Sequence, residues 1–269
     1  MKTRPTPILA LAALLFAGAQ TAALAERFTD RSETTYRLGP DAEISLGNSN
    51  GNVSVEAWDE DFVQLVAEKR VEASNAAAAA EAFAAIEVII DEDAGRLEVE
   101  TRLPGATSGL WSWLSGRSHN GSVSYELRVP RSTDLDLQTA NGNVSTKGAT
   151  GRLRLHSTNG RIDVEGAGED VEADTVNGSI RVAIGGASSQ ADITLDSTNG
   201  GITLYLPAAI AGRLEARTVN GSIKTELPVT IGGGSSRRRL SGDINGGGAS
   251  RIELSTTNGS IRISDAAER

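Results

Sequence analysis

The chain has 269 residues, with 35 Asp and Glu against 26 Lys and Arg, a formal net charge of −9, two histidines and no cysteine. The acidic balance argues against nucleic acid and anionic membrane as direct partners. The missing cysteines exclude disulfide staples, thiolate metal sites and a lipid attached to an N-terminal Cys, and no cofactor is expected.

Taken in chain order, residues 1–25 read as a secretory signal. Lys2 and Arg4 give a positive start, Ile8 to Ala17 is a short apolar run, and Ala23-Leu24-Ala25 is a small-x-small cleavage site. The chain has no second long apolar run, so no stable membrane insertion is expected. Export without cysteine fits a bacterial periplasmic or cell-surface protein.

Residues 26–137 are expected to form an α+β capping segment. "EISLGNSNGNVSVEAW" and "DFVQLVAEKRVEA" read as strands. The Ala-rich stretch 74–85 reads as a helix with Ser74 as N-cap. "IEVIIDEDAGRLEVETRL" reads as a hairpin around Asp91 to Gly95, and "SVSYELRVP" leads into a repeat region.

That repeat spans residues 138–264, with a tail at 265–269. The best copies, at Asn159, Asn177, Asn199, Asn220 and Asn258, share an apolar residue four before Asn, Ser or Thr two before, Gly directly after, and Ile three after. Asn141 fits, as does the earlier Asn50. Alternation on both sides of Asn-Gly predicts strand, turn, strand, with Asn and Gly supplying the positive φ of a tight turn. The spacing stays near 20 residues until the longer Gly/Ser/Arg-rich gap between Asn220 and Asn258. From Thr139 onward the only aromatic residue is Tyr205, which suits a thin interior.

Two architectures fit. The first is a β-solenoid of about six to seven coils, with Asn-Gly corners at Asn141-Gly142, Asn159-Gly160, Asn177-Gly178, Asn199-Gly200, Asn220-Gly221 and Asn258-Gly259. The second is an antiparallel sandwich or barrel of Asn-Gly hairpins. The same small hydroxyl at the same offset from every Asn favours the solenoid. "LSTTNGSIRI", Leu254 to Ile263, is then expected to be the last coil of the stack.

The repeated Thr-x-Asn-Gly-x-Ile units, the strand pair "NSNGNVSVEAWDED" and the step "YELRVPRSTDLDLQTANGNV" together resemble the bacterial candidate-adhesin family of β-strand-repeat proteins. It is a family of unknown function. The resemblance runs from about Arg37 to Ile263 and implies an envelope-associated or exported β-repeat protein, with no catalytic residues to transfer.

Several features invite a functional reading. A row of Asn amides could hold a repeating glycan, although turn preference alone explains both letters. The acid clusters Asp59-Glu60-Asp61 and Asp91-Glu92-Asp93 fall in expected turns, where carboxylates are ordinary, and neither has a calcium-loop pattern. His119 and His156 are the only histidines, and no G-x-S-x-G elbow accompanies them. Trp111 and Trp113 share a face in an extended segment, and Trp58 could join them as a binding patch or a hydrophobic lid. Arg237, Arg238 and Arg239 are candidates for holding phosphate or carboxylate groups.

The leading expectation is an exported, non-enzymatic envelope or surface protein with an adhesin-like binding or scaffold role. An envelope protein or a glycan would be its partner, and an open solenoid edge could join copies. The alternatives are a polysaccharide hydrolase or lyase on the same scaffold, and a structural partner in an envelope-stress or assembly system.

Overall fold

A computed structural model describes residues 26–39, 42–93, 95–103, 121–168, 170–185, 190–231 and 235–268. The expected signal sequence lies outside the described residues. In chain order the elements are β1 (Glu26–Tyr36), β2 (Glu43–Asn50), β3 (Val53–Trp58), β4 (Val63–Ala73), α1 (Ala76–Ala85), β5 (Glu87–Asp93), β6 (Arg96–Arg102) and β7 (Gly121–Pro130). Then come β8 (Asp134–Asn141), β9 (Val144–Lys147), β10 (Leu153–Asn159), β11 (Ile162–Ala167), β12 (Asp170–Asn177), β13 (Ile180–Ile184), β14 (Asp192–Asn199) and β15 (Ile202–Leu206). The last are β16 (Gly212–Asn220), β17 (Ile223–Thr225), β18 (Val229–Ile231), β19 (Arg239–Ile244), β20 (Ser250–Asn258) and β21 (Ile261–Asp265).

The strands form two sheets. Sheet I has ten strands in the order β1-β4-β7-β3-β9-β11-β13-β15-β21-β17. Sheet II has eleven, in the order β18-β19-β16-β20-β14-β12-β10-β8-β2-β6-β5. Throughout the middle of both sheets the pairing is parallel. Ser157 lies opposite Thr175, Thr175 opposite Ser197, and Ile162 opposite Ile180. Parallel stacking of equivalent positions is the solenoid-like arrangement, and it rules out a meander of hairpins. Antiparallel pairs occur only towards the two ends, where β1 and β4, β5, and β18 and β19 lie.

Period-2 alternation explains the core. In β12 Val171, Ala173 and Thr175 are buried while Asp170, Glu172 and Val176 are exposed. Leu, Ile and Val from the two sheets meet in one contiguous interior, running from Ile44 to Ile263. Tyr125 is its one large polar-tipped member. Its hydroxyl is 2.6 Å from Thr101 Oγ1 on the opposite sheet, and burial pushes its pKa up to about 12.

Three expectations need correction. The helix begins one residue later than expected. Asn75 is the N-cap and accepts from the Ala78 amide at 2.9 Å, its extended backbone leaving Ser74 outside. The segment before residue 138 is not a separate cap, because β2, β3, β6 and β7 continue both sheets. Nor is "LSTTNGSIRI" last in the stack. β20 lies between β14 and β16, and β21 between β15 and β17. The other end mirrors this, with β2 and β3 lying between β6/β7 and β8/β9. At each end the chain makes an outer layer and an inner one, and the order of layers departs from the order of sequence.

Candidate functional site

The repeated letters form an internal framework. Each Asn amide donates to the Asn carbonyl oxygen of its neighbour. Asn220 donates to Asn258, Asn258 to Asn199, Asn199 to Asn177, Asn177 to Asn159 and Asn159 to Asn141, all at 2.8–2.9 Å. Asn141 continues the ladder to Asn50 at 2.7 Å. The Ser or Thr two residues earlier donates to a glycine carbonyl in the adjacent layer, as in Ser157 to Gly142 at 2.9 Å and Thr175 to Gly160 at 3.1 Å. Glycine comes after Asn because of this stacking. A Cβ on Gly200 would lie 1.7 Å from the Gly178 carbonyl oxygen. The expected positive φ is not the reason. Among described residues Asn245 is the one non-glycine with positive φ, and of the glycines directly after a repeat Asn only Gly51 has it. Asn and Gly stand there for a hydrogen-bonded ladder and a close approach, the ladder engaging one N–H of each donating Asn amide.

Outside the ladder, the parallel register lines up the outward residues of sheet II. Three residues before each Asn the row reads Gln138, His156, Asp174, Asp196, Ser255, Arg217 and, across the antiparallel β16–β19 pair, Arg239. His156 Nδ1 is 2.5 Å from Asp174 Oδ1. That hydrogen bond and the nearby charge hold the imidazole protonated above its ordinary pKa of 6.5, against the opposing effect of burial. Next in line, Asp196 is pushed up by burial and by the charge of Asp174, while the Ser255 hydroxyl opposes the shift.

Because the folded pKa of His156 is raised, its contribution to stability is fully present below the unfolded value and is lost as pH rises through the folded value. His156→Gln is therefore expected to lower the melting temperature more at pH 5.5 than at pH 8.5. Equal losses at both pH values would show that the pair contributes no proton-linked stability.

The arginine stretch acquires a definite place. Arg239 opens β19 opposite Arg217, the Arg238 carbonyl accepts from the Thr218 amide at 2.9 Å, and the Arg237 carbonyl accepts from the Ile223 amide at 2.9 Å. Its main chain thus crosses from sheet II to sheet I over the end of the stack, beside Asn220-Gly221. All three side chains are exposed. On the adjoining edge of sheet I, Lys224 lies opposite Arg262. Among the described residues no carboxylate forms an ion pair with Arg217, Arg237, Arg238, Arg239, Lys224 or Arg262. Two arginines directly opposite on paired strands repel unless an anion lies between them. A shallow cleft of about 120 Å³ adjoins them, lined also by Asp196, Glu215, Glu253 and Ser255.

The other candidates lie elsewhere. Trp58 is partly buried, meets Phe62 edge-on at 4.5 Å, donates its indole N–H to the Phe62 carbonyl, and lies under the Arg128 guanidinium at 5.8 Å. Its ring and N–H are engaged locally. Trp111, Trp113 and His119 lie outside the described residues. Asp59 pairs with Arg131 at 2.6 Å, which holds its carboxyl below the usual range. Asp91, Glu92 and Asp93 are on β5, an exposed edge strand rather than a turn. Among the described residues no group of three His, Cys, Asp or Glu could hold a metal ion, and no helix is long and apolar enough to cross a membrane.

Arg217 and the His156–Asp174 pair escaped the sequence reading. Their signal was present in the repeat, because all three occupy the same offset before Asn.

Comparison with known proteins agrees with this architecture. A candidate cell-adhesion protein from Clostridium sporogenes ATCC 15579 has a similar fold, with a TM-score of 0.53 at 13% identity over 89% of this chain and 100% of that one. A candidate adhesin from Bacteroides fragilis NCTC 9343 is more distant, with a TM-score of 0.32 at 11% identity over 87% of this chain and 97% of that one. A candidate lipid-binding protein from Parabacteroides distasonis ATCC 8503 gives 0.28 at 9% identity over 87% and 96%. No curated protein matches the chain. The Toastrack DUF4097 family pattern matches residues 26–264, so the chain belongs to this family of unknown function.

Proposed function

We infer that the protein is an exported, non-enzymatic scaffold of the cell envelope, in the periplasm or at the cell surface, that holds an anionic envelope partner at its arginine end. The observation that carries this reading is that six exposed cations lie at one end of a chain of net charge −9: Arg217 opposite Arg239 on sheet II, Lys224 opposite Arg262 on sheet I, and Arg237 and Arg238 where the main chain crosses between the sheets. Guanidinium groups bind phosphate and carboxylate oxygens in pairs of hydrogen bonds, and exposed ones with no ion-pair partner among the described residues are open to do so. Behind them lie the stacked layers of the repeat. Each is tied to the next by a strand ladder, an Asn amide and a Ser or Thr hydroxyl, so the Asn-Gly corners work as fasteners and the charged end works as the contact. Solenoids present such extended surfaces to partners through the regular stacking of their repeats.

The test is binding at two salt concentrations. Wild-type protein and the Arg237→Ala/Arg238→Ala/Arg239→Ala variant are titrated with a soluble anionic polysaccharide and with vesicles carrying anionic lipid. The variant is expected to bind the recognised ligand at least about tenfold more weakly and with a shallower salt dependence. The two arms separate a polymer from a lipid headgroup. Equal binding by both proteins in both arms removes the arginine end as the contact.

A further inference from the structure

Every open-ended sheet has edges, and the described strands leave four. On sheet I they are β1 and β17, and on sheet II β5 and β18. Three are poor docking strands. β17 and β18 have three residues each, and β5 carries Glu87, Asp91, Glu92 and Asp93 with no cation, so a second acidic edge would be repelled. β1 differs. It is eleven residues long, exposed along nearly its whole length, and no strand pairs with its outer edge among the described residues. Its sequence, ERFTDRSETTY, carries both signs of charge.

The faces of β1 are set by its pairing with β4. Phe28, Ser32 and Tyr36 lie opposite Val71, Ala67 and Val63, which are buried, and Phe28 and Tyr36 pack against the core. Arg31 and Glu33 lie on the outer face, where Arg31 reaches Glu126 at 3.5 Å and Glu33 accepts from Gln64.

We propose that the protein forms a two-fold homodimer in which β1 pairs antiparallel with β1 of a second copy, centred on Ser32. A two-fold axis perpendicular to the sheet keeps inner face with inner face, so the register must bring together residues of the same face. Centred on Ser32, Arg31 meets Glu33 of the second copy twice on the outer face. On the inner face Phe28 meets Tyr36 of the second copy twice, and Ser32 meets Ser32. Shifting the centre by one residue either way spoils this. Centred on Arg31, arginine faces arginine, and centred on Glu33, glutamate faces glutamate. Centred on Asp30, aspartate faces aspartate. Within β1 the Ser32 register is the one among these with two opposite-charge pairs, two aromatic pairs and no like-charge pair, each of which weighs on strand association, and Arg27 comes to face Arg37 of the second copy only beyond the strand's end at Tyr36. The charges on β1 thus guard the edge against indiscriminate pairing and still admit one partner. The dimer joins the two copies of sheet I into one continuous sheet. At about 4.8 Å per strand step, the two arginine ends would point away from each other, roughly 90 Å apart.

The purified protein, about 100 µM at low salt, is expected to sediment as a dimer. Arg31→Glu and Glu33→Arg each place like charges opposite one another at two points and should weaken the dimer at least about tenfold, without altering the circular dichroism spectrum. The double variant Arg31→Glu/Glu33→Arg exchanges the pairs and should restore it. Because the chain has no cysteine, Ser32→Cys reports the register directly. It should form a disulfide-linked dimer under mild oxidation, whereas Thr29→Cys, which faces Thr35 of the second copy, should not. A wild type that is monomeric at this concentration overturns the proposal, as does a double variant no better than the single ones. A dimer in which Ser32→Cys fails to cross-link refutes the pairing. None of these outcomes depends on the arginine end, so the two proposals stand or fall separately.

Discussion

Replacing Gly178 with alanine is expected to cost about 4 kcal/mol or more, or to prevent folding, although it adds a single methyl group. The new Cβ would lie 1.9 Å from the Gly160 carbonyl oxygen, 2.6 Å from its carbon and 3.1 Å from Thr175 Oγ1. Nothing there can yield cheaply. The Gly160 carbonyl accepts the Thr175 hydroxyl, and the Gly160 amide is bound to the Asn177 carbonyl at 3.1 Å. Asn177 itself is held on both sides by the amide ladder. Relief would require two layers to part, which breaks their strand ladder. The measurement is a thermal melt, with a fall of at least about 10 °C expected for a domain of this size. Gly47→Ala is the control. A Cβ at Gly47 meets no atom within 4 Å, and its backbone is not in the positive-φ region, so its melt should stay within about 2 °C of wild type. If Gly178→Ala melts with the control, the close approach of layers is not what places glycine in the repeat.

That result bears on how much of the molecule can be read from its letters. The repeat pointed to parallel stacking, because a small hydroxyl at a fixed distance from every Asn makes sense when equivalent residues touch. It misled about Asn-Gly. The dipeptide suits a positive-φ turn and a stacked ladder equally, and only the neighbouring layer decides. The hidden order of layers has a similar cause. Ile193 pairs with Ile252, and Ile252 also pairs with Leu214. Any of these copies could lie beside any other by pattern alone, since each offers the same apolar offset. Position in the stack is fixed by connections such as the antiparallel return of β19 onto β16, which no periodicity records.

The candidate site shows the same division. Arg237 to Arg239 stood out as a basic run in an acidic chain, yet its course over the end of the stack depends on that return. Arg217 was hidden because one arginine on an outward offset looks like ordinary solvated charge. It gains meaning only when Arg239 is brought opposite. The free edge of β1 was likewise invisible, since an edge is a property of the assembled sheet.

Deleting residues 248–269 should be far more damaging than loss of a terminal repeat. In a stack built in sequence order, removing the last layer shaves one end and leaves the rest intact. Here the deleted β20 and β21 lie inside. β20 is the parallel partner of both β14 and β16, while β21 is the partner of β15 and, among the described strands, the only partner of β17. Their loss takes Ile252, Leu254, Ile261 and Ile263 out of the core, each at most 2% accessible in the intact chain. At about 1.5–3 kcal/mol for each buried side chain, the gross loss is roughly 6–12 kcal/mol. That is comparable with the entire stability of an ordinary domain, about 5–15 kcal/mol. It also separates β16 to β19, with the arginine end, from the rest of the stack. The expected result is a protein whose remaining layers melt more than about 20 °C below wild type, and whose amides in 212–225 exchange freely. Deleting only 266–269 should leave both measurements nearly unchanged, because that segment lies beyond the last strand. The alternative is that β16 and β17 close the gap by docking directly on β14 and β15, since their apolar offsets match. A truncated protein melting within a few degrees of wild type, with 212–225 still protected, would establish that re-docking and show that the order of layers is dispensable. If instead protection is lost, the arginine end can be built only after the final residues of the chain have entered the middle of the stack.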